Sequence, residues 1–418
     1  MSPFQRSSVT TLTERLSEAP SRLIAIFGPR QTGKTTMVRQ ALNRIDQQSR
    51  YLPVDEPDPS AVSITPDGSM EDTTSLSQER DAEWLVRSWE EARRQAEQSV
   101  RGFVLVFDEI QKVSNWSETV KGLWDADQAR KRPLHVVILG SAPLAIQSGL
   151  SESLAGRFES IRVTHWSFSE MSAAFDLTLD EYVYFGGYPG AASLVADEGR
   201  WRDYILHALV EPHLERDLLA MTRVDKPALL KSLFELGASY SGQLLSYNKM
   251  LGQLQDAGNT TTLARYLDLL STAGLLTGLP KHSGTAHRRK GSSPKLNVLN
   301  TALMSATSGY SFDEARADRT FWGRLVESAV GAHLFNTAPP NLNLSYWRDG
   351  PLEVDFVLRR GPQVRGIESK SGSGRANDRA LREFEKRHQA PRSLVVGEDG
   401  IPLNEFLSAP AHEWFRYP

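Results

Sequence analysis

The chain of 418 residues contains no cysteine. Disulfides, thiolate zinc sites, cysteine-held iron–sulfur clusters and cysteine nucleophiles are therefore excluded. A reducing compartment fits this composition. No apolar run approaches the roughly 18 residues a membrane helix needs. The opening MSPFQRSSVTTLTERL has no apolar core of a signal peptide. These absences together predict a soluble cytoplasmic protein. There is also no excess of one charge, since 48 Lys and Arg face 51 Asp and Glu for a formal net of −3. A uniformly basic nucleic-acid binder is excluded, and any such contact must come from local patches. The nine histidines are scattered and none forms a metal-ligand pair. His207 and His213 read as helical surface. No G-x-S-x-G elbow occurs.

What is present points to two or three domains, at roughly 150 residues each. Short apolar runs at 23–27, 51–54, 103–107, 135–139 and 160–163 alternate with helical stretches. That alternation predicts a parallel sheet with crossover helices. Residues 55–81 are rich in Pro, Ser, Thr, Asp and Glu and read as a surface insertion. A mostly helical region follows from 167 to 280. The pattern then returns to a helix at 321–335 and strands at 344–347, 353–358, 364–369 and 393–396.

Residues 28–35 read Gly-Pro-Arg-Gln-Thr-Gly-Lys-Thr, matching G-x-x-x-x-G-K-[ST] at every fixed position. A strand precedes the loop and a helix follows it. Backbone N–H groups of Gly28, Pro29–Thr32 (Pro29 excepted, having none) and Gly33 would face phosphate, assisted by the helix N-terminus. The nucleotide-binding set is Gly28, Pro29, Arg30, Gln31, Thr32, Gly33, Lys34, Thr35 and Thr36. Lys34 would neutralise the β- and γ-phosphates of ATP, and the Thr35 hydroxyl would hold Mg²⁺. The apolar strand 103–107 ends in Asp108-Glu109, as a Walker B strand does. Asp108 is the second candidate Mg²⁺ holder and Glu109 the residue polarising the attacking water. Ser141, after the strand ending at Gly140, is a sensor candidate. Arg157 is either an arginine finger, in cis or from a neighbouring subunit of a homo-oligomer, or a helix-terminal Arg facing water.

Three further features concern partners. The stretches 228–236, 247–254 and 260–270 form a helix-turn-helix outline in which Thr261 and Arg265 lie near the exposed start of the third helix. The following segment 281–295 carries five Lys or Arg (281, 288, 289, 290, 295) and no acid. Arg288, Arg289 and Lys290 would lie on phosphates, of DNA or of RNA, if this is a wing; otherwise the segment is a protein-interaction loop. Finally, Glu327 on a helix, Asp355 on a strand and Glu368-Ser369-Lys370 on the next strand form an acid, acid, E-x-K constellation. Alternate strand residues share a face, so Glu368 and Lys370 point together. Carboxylates so grouped can hold a second Mg²⁺ or Mn²⁺, with Lys370 assisting water attack on a phosphodiester. The surrounding stretch 358–392 has ten basic residues against four acidic ones. Any half-exposed strand also alternates charged with apolar residues, so the pattern alone leaves both readings open.

GPRQTGKTT, VLVFDEIQKV, LGSAPL, SLAGR, SFSE and YFGGYP occur in that order. The set resembles prokaryotic AAA-type P-loop ATPases that carry a C-terminal domain of unknown function, number 4143. The resemblance implies an ATPase with a helical lid over 1–220, a winged helix over 221–310 and a restriction-endonuclease-like α/β domain over 311–418. It also suggests that Gly187-Tyr188-Pro189 contacts nucleotide from the lid. Where such relatives have an aspartate after Ser-Pro-Lys, this chain has Asn300.

Overall fold

The computed structural model describes residues 4–54, 80–140, 150, 153–218, 224–256, 258–283, 292–370 and 378–417. Residues 55–79 of the 55–81 insertion, the sensor candidate Ser141 and the wing candidates Arg288, Arg289 and Lys290 lie outside them. The chain divides into two compact units, 5–163 and 164–418, the latter with residues 1–4. The helices that follow residue 164 group with the second unit.

In the first unit, β1 (Leu23–Phe27), β2 (Gln48–Pro53), β3 (Phe103–Asp108), β4 (Leu134–Gly140) and β5 (Phe158–Arg162) form one sheet in the order β2-β3-β4-β1-β5. Every neighbouring pair is parallel, as the alternation of short apolar runs with helices predicted. Every residue of β3 and β4 is buried. Helices therefore cover both faces. Ser7–Ser17 and Lys34–Leu42 pack on Ile24, Ile26, Val104 and Val106. Ala82–Gln98 and Trp116–Arg130 pack on Leu23, Ala25, Leu105 and Phe107. One buried carboxylate ties the second layer together. Asp127 accepts from Trp89 Nε1 at 2.7 Å, Arg93 Nε at 2.7 Å and Arg132 Nη1 at 3.1 Å. A buried carboxylate so surrounded has its desolvation offset.

The second unit begins with helices including Phe168–Phe175 and Leu179–Phe185, each opened by a capping box (Ser167/Glu170 and Thr178/Glu181). His213 is buried, correcting the surface reading, whereas His207 is exposed and pairs with Glu211 at 2.9 Å. Three helices follow: Pro227–Ser239, Tyr247–Gln253 and Thr260–Thr272. An antiparallel pair comes next, β6 (Leu276–Leu279) with β7 (Lys295–Val298). Asn259 caps the third helix by accepting from Thr262 N at 2.9 Å.

The last part of the unit has the helix Arg319–Thr337 and a sheet in the order β11-β10-β9-β8. Its strands are β8 (Asn343–Asp349), β9 (Leu352–Arg360), β10 (Gln363–Ser369) and β11 (Leu394–Val396). The first three run antiparallel. β10 and β11 are parallel, which requires the crossover helix Asp378–His388. Val330 and Leu334 of the long helix pack on Phe356, Leu358 and Ile367. Trp347 is 3% exposed and packs edge-on to Phe384. Among the described residues no helix is long and apolar enough to cross a membrane.

Candidate nucleotide site and C-terminal carboxylate cluster

The loop between β1 and the helix Lys34–Leu42 is shaped by its two glycines. A Cβ on Gly28 would stand 1.8 Å from the Val163 carbonyl oxygen. Gly33 sits at φ +83°, a region costly for other residues. Inside the loop, Lys34 Nζ donates to the carbonyls of Gly28 at 2.9 Å and Pro29 at 2.6 Å. The Thr32 hydroxyl also donates to Pro29, at 2.9 Å. Lys34 and Asp108 are both buried, at 7% and 8% exposure.

The loop meets the end of β3 directly, because Thr35 Oγ1 donates to Asp108 Oδ2 at 2.9 Å. Two hard oxygens at this separation, beside a phosphate-binding loop, suit Mg²⁺. Tyr51, at the end of β2, also donates its hydroxyl to Asp108 Oδ2. Burial, then that bond, pushes the Tyr51 phenol well above its ordinary range. Tyr51 was not apparent from sequence, since nothing in a strand-end Tyr marks it as a carboxylate partner. Glu109 follows in the left-handed region at φ +57°, with its carboxylate held by Gln111 Nε2. β4 lies between β3 and β1, and Gly140 pairs with Phe27. Ser141 is thus the next residue after a strand flanked by both motifs. Arg157 engages Asp125 through Nε at 2.7 Å and Nη2 at 2.9 Å.

In the second unit, Thr261 and Arg265 are exposed one turn apart on the helix Thr260–Thr272. Gly187 N donates to Asn300 Oδ1 at 3.0 Å, and Asn300 Nδ2 lies 3.2 Å from His165 Nδ1. Asn300 is thus a buried junction holding the Gly-Tyr-Pro turn.

The acids of the last sheet converge, but on a residue that sequence reading placed elsewhere. Lys295 Nζ lies 2.6 Å from Glu327, 3.0 Å from Asp355 and 3.5 Å from Glu353. Counting Lys295 in a phosphate-facing basic hairpin is thereby corrected: its side chain is 1% exposed. The first residue of β7 turns inward, where a lysine following a basic run reads as solvent-facing. Glu368 pairs with Lys370 at 2.8 Å, as alternation on β10 predicted. Asp355 Oδ2 accepts from Ser369 N at 2.9 Å. Burial, reinforced by the charge of Asp355, raises the Glu327 and Glu368 carboxyls well above the usual glutamate range. Burial alone would lower Lys295, but Asp355, Glu327 and Glu353 outweigh it and raise the ammonium pKa. The basic stretch 358–392 is also less exposed than its count implied. Arg365 is 5% exposed and donates to the Arg392 carbonyl at 2.9 Å. Among the described residues, no three His, Cys, Asp or Glu side chains are grouped so as to hold a metal ion.

Residues 20–172 match the family model described as "AAA domain". This part of the chain is similar to AAA domains, and its parallel five-stranded sheet with a phosphate loop after β1 agrees with that likeness. Residues 176–314 and 322–410 match two domains of unknown function, DUF8612 and DUF4143. An uncharacterized protein of Mycobacterium tuberculosis is 26% identical over 410 residues, spanning 97% of this chain and 83% of that protein. An uncharacterized protein of Methanocaldococcus jannaschii is 22% identical over 360 residues, spanning 81% and 72%. Among solved structures, the Walker-type ATPase of Pyrococcus abyssi aligns at 15% identity and TM-score 0.45, over 73% of this chain and 98% of that one.

Proposed function

We propose that the protein is an ATP-binding and ATP-hydrolysing molecular switch whose AAA domain acts on a winged helix and a restriction-endonuclease-like module at a nucleic acid, most simply DNA. The observation that carries the ATPase reading is the direct Thr35–Asp108 bond joining the phosphate loop to the Walker B strand. Bound Mg²⁺ would supply charge neutralisation on the phosphates. Thr35 and Asp108 would hold it, Lys34 would exchange its carbonyl partners for phosphate oxygens, and Glu109 would orient the attacking water. Ser141 and Arg157 are the proposed sensor and finger. For Arg157, that role requires release from Asp125.

Support for the nucleic-acid half comes from three helices followed by an antiparallel strand pair, with Thr261 and Arg265 exposed, and from the sequence, in which Arg288, Arg289 and Lys290 fall between the two strands. RNA or a protein partner would use the same surfaces. A homo-oligomer in the cytoplasm fits the ATPase reading. Two measurements test it. Lys34→Ala should abolish ATP hydrolysis with the fold retained, and wild-type turnover in that variant would sink the ATPase. DNA affinity should fall steeply as salt rises; salt-independent binding would remove the phosphate contacts.

A second reading, an ATP-regulated metal-dependent DNase, draws on the convergence of Glu327, Asp355, Glu368 and Lys370. The ammonium of Lys295 among those acids counts against it.

A further inference from the structure

The carboxylate cluster already contains a cation, and its geometry suits that cation. An ammonium has three N–H donors and accepts nothing. Lys295 Nζ faces three carboxylates, Glu327 from the helix Arg319–Thr337 and Glu353 and Asp355 from β9, at 2.6–3.5 Å. Those are hydrogen-bond and ion-pair distances, whereas Mg²⁺ draws its oxygens to about 2.0–2.1 Å. The remaining contacts of Asp355, Glu353 and Glu368 are also made within the protein, except at Glu368 Oε2, which is buried with no hydrogen-bond partner among the described residues. Asp355 gives its second oxygen to the Ser369 N–H, Glu353 faces Arg348 Nη1 at 3.9 Å, and Glu368 faces Lys370.

The lysine is placed by backbone as well as by charge. Lys295 pairs with Leu279 across the β6–β7 hairpin and bridges to Leu244. Its nitrogen stands 5.2 Å from the centre of the Phe356 ring. A long side chain fixed at both ends and 1% exposed is not a transient visitor from the surface.

We propose that Lys295 is the resident cation of this site, standing where a divalent ion would have to sit, so that the module holds no catalytic metal and does not cut phosphodiesters through metal-activated water. The ammonium links β7 to the helix Arg319–Thr337 and β9, and the acids serve as its counter-ions. The inference rests on the carboxylate constellation and not on ATP turnover, so either can fail without the other.

The test uses the full chain without nucleotide, with Mn²⁺ alone as the probe and binding followed by electron paramagnetic resonance. Wild type and Asp355→Asn should bind Mn²⁺ identically, any weak binding at the phosphate loop being common to both. Lys295→Met should gain a Mn²⁺ site that the double variant Lys295→Met/Asp355→Asn lacks. Millimolar Mn²⁺ should then raise the melting temperature of Lys295→Met but not of wild type. A Mn²⁺ held by wild type and lost in Asp355→Asn, with affinity falling tenfold or more, overturns the proposal. So does a folded Lys295→Met that gains no ion. If Lys295→Met does not fold, wild type against Asp355→Asn decides alone. ATP hydrolysis should be unchanged in Asp355→Asn, which keeps failure of this inference separate from failure of the ATPase.

Discussion

Among the described residues two lysines are buried, Lys34 and Lys295, and their surroundings differ in kind. Lys34 lies in the phosphate loop at 7% exposure, held by the carbonyls of Gly28 and Pro29. Lys295 lies in the second unit at 1% exposure among three carboxylates. Carbonyl bonds can be exchanged for phosphate oxygens without stranding a charge. Carboxylates cannot give up their ammonium without leaving buried negative charge behind. The first arrangement suits a lysine that receives an anionic ligand. The second suits a lysine whose anions are already part of the protein. In sequence Lys34 belongs to the phosphate-loop motif and Lys295 to a basic run, but only the partner atoms show that the second is enclosed by acids.

The sharpest way to break this comparison is to remove each ammonium in turn. Lys295→Ala should cost about 3–5 kcal/mol of stability, the usual penalty for stripping one partner from a buried ion pair. Chemical denaturation measures it, and a loss below about 1 kcal/mol would mean the acids have another way to be neutralised. Lys34→Ala should do the reverse. Its melting transition should stay near wild type while kcat for ATP falls by about 10²–10³ or more, the range for losing a preorganised donor to developing charge. A large stability loss there would make the two lysines equivalent and undo the contrast.

His333 extends the comparison to a buried base with no carboxylate. Its Nε2 lies 2.7 Å from the Ala409 carbonyl. Burial pushes its pKa down to about 4, only partly opposed by that bond. Because the folded value lies below the unfolded one, the unfolded chain takes up the proton first as pH falls. Stability should therefore decline from about pH 6.5 to about pH 4, by roughly 3 kcal/mol from this group. His333→Gln should remove that share of the acid sensitivity. Parallel pH profiles for variant and wild type would show that His333 carries no such term.

Much of this was readable in the chain, for reasons that can be stated. The phosphate loop and the Walker B strand are local motifs, and the five parallel strands followed from short apolar runs between helices. Glu368 and Lys370 share a face because strand alternation is a local rule. Lys295 is misread from sequence because its role depends on a strand pair turning β7 toward the helix Arg319–Thr337. Charge counts treat every basic residue as surface, so Arg365 enters the basic total of 358–392 although it is buried. The family resemblance implies that the helices after residue 164 are a lid of the ATPase, while packing groups them with the second unit. His213 was read as surface for lack of any signal in sequence about which helix face packs.

Asn300 allows the mildest test of the same rule, that a buried charge persists only beside its opposite. His165 Nε2 faces the Gly274 carbonyl at 2.7 Å, so that nitrogen carries the hydrogen. Nδ1 then accepts from Asn300 Nδ2, at 3.2 Å, and a neutral ring satisfies both contacts. Asn300 Oδ1 meanwhile accepts from the Gly187 and Ala302 N–H groups. Asn300→Asp keeps those acceptor roles but turns a carboxylate oxygen toward Nδ1. The pair then holds together only if the ring takes a second proton and becomes an imidazolium. The folded-state imidazole pKa in the variant should therefore be raised above the unfolded value. That contribution is fully present below about pH 6.5 and is lost as pH rises through the raised value. The variant should approach wild-type stability at pH 5 and fall about 1–2 kcal/mol below it at pH 8, the cost of leaving one buried polar partner unmatched. Denaturation at the two pH values measures the gap. A gap of equal size at both would mean the loss is one of packing, and that His165 takes no part in it.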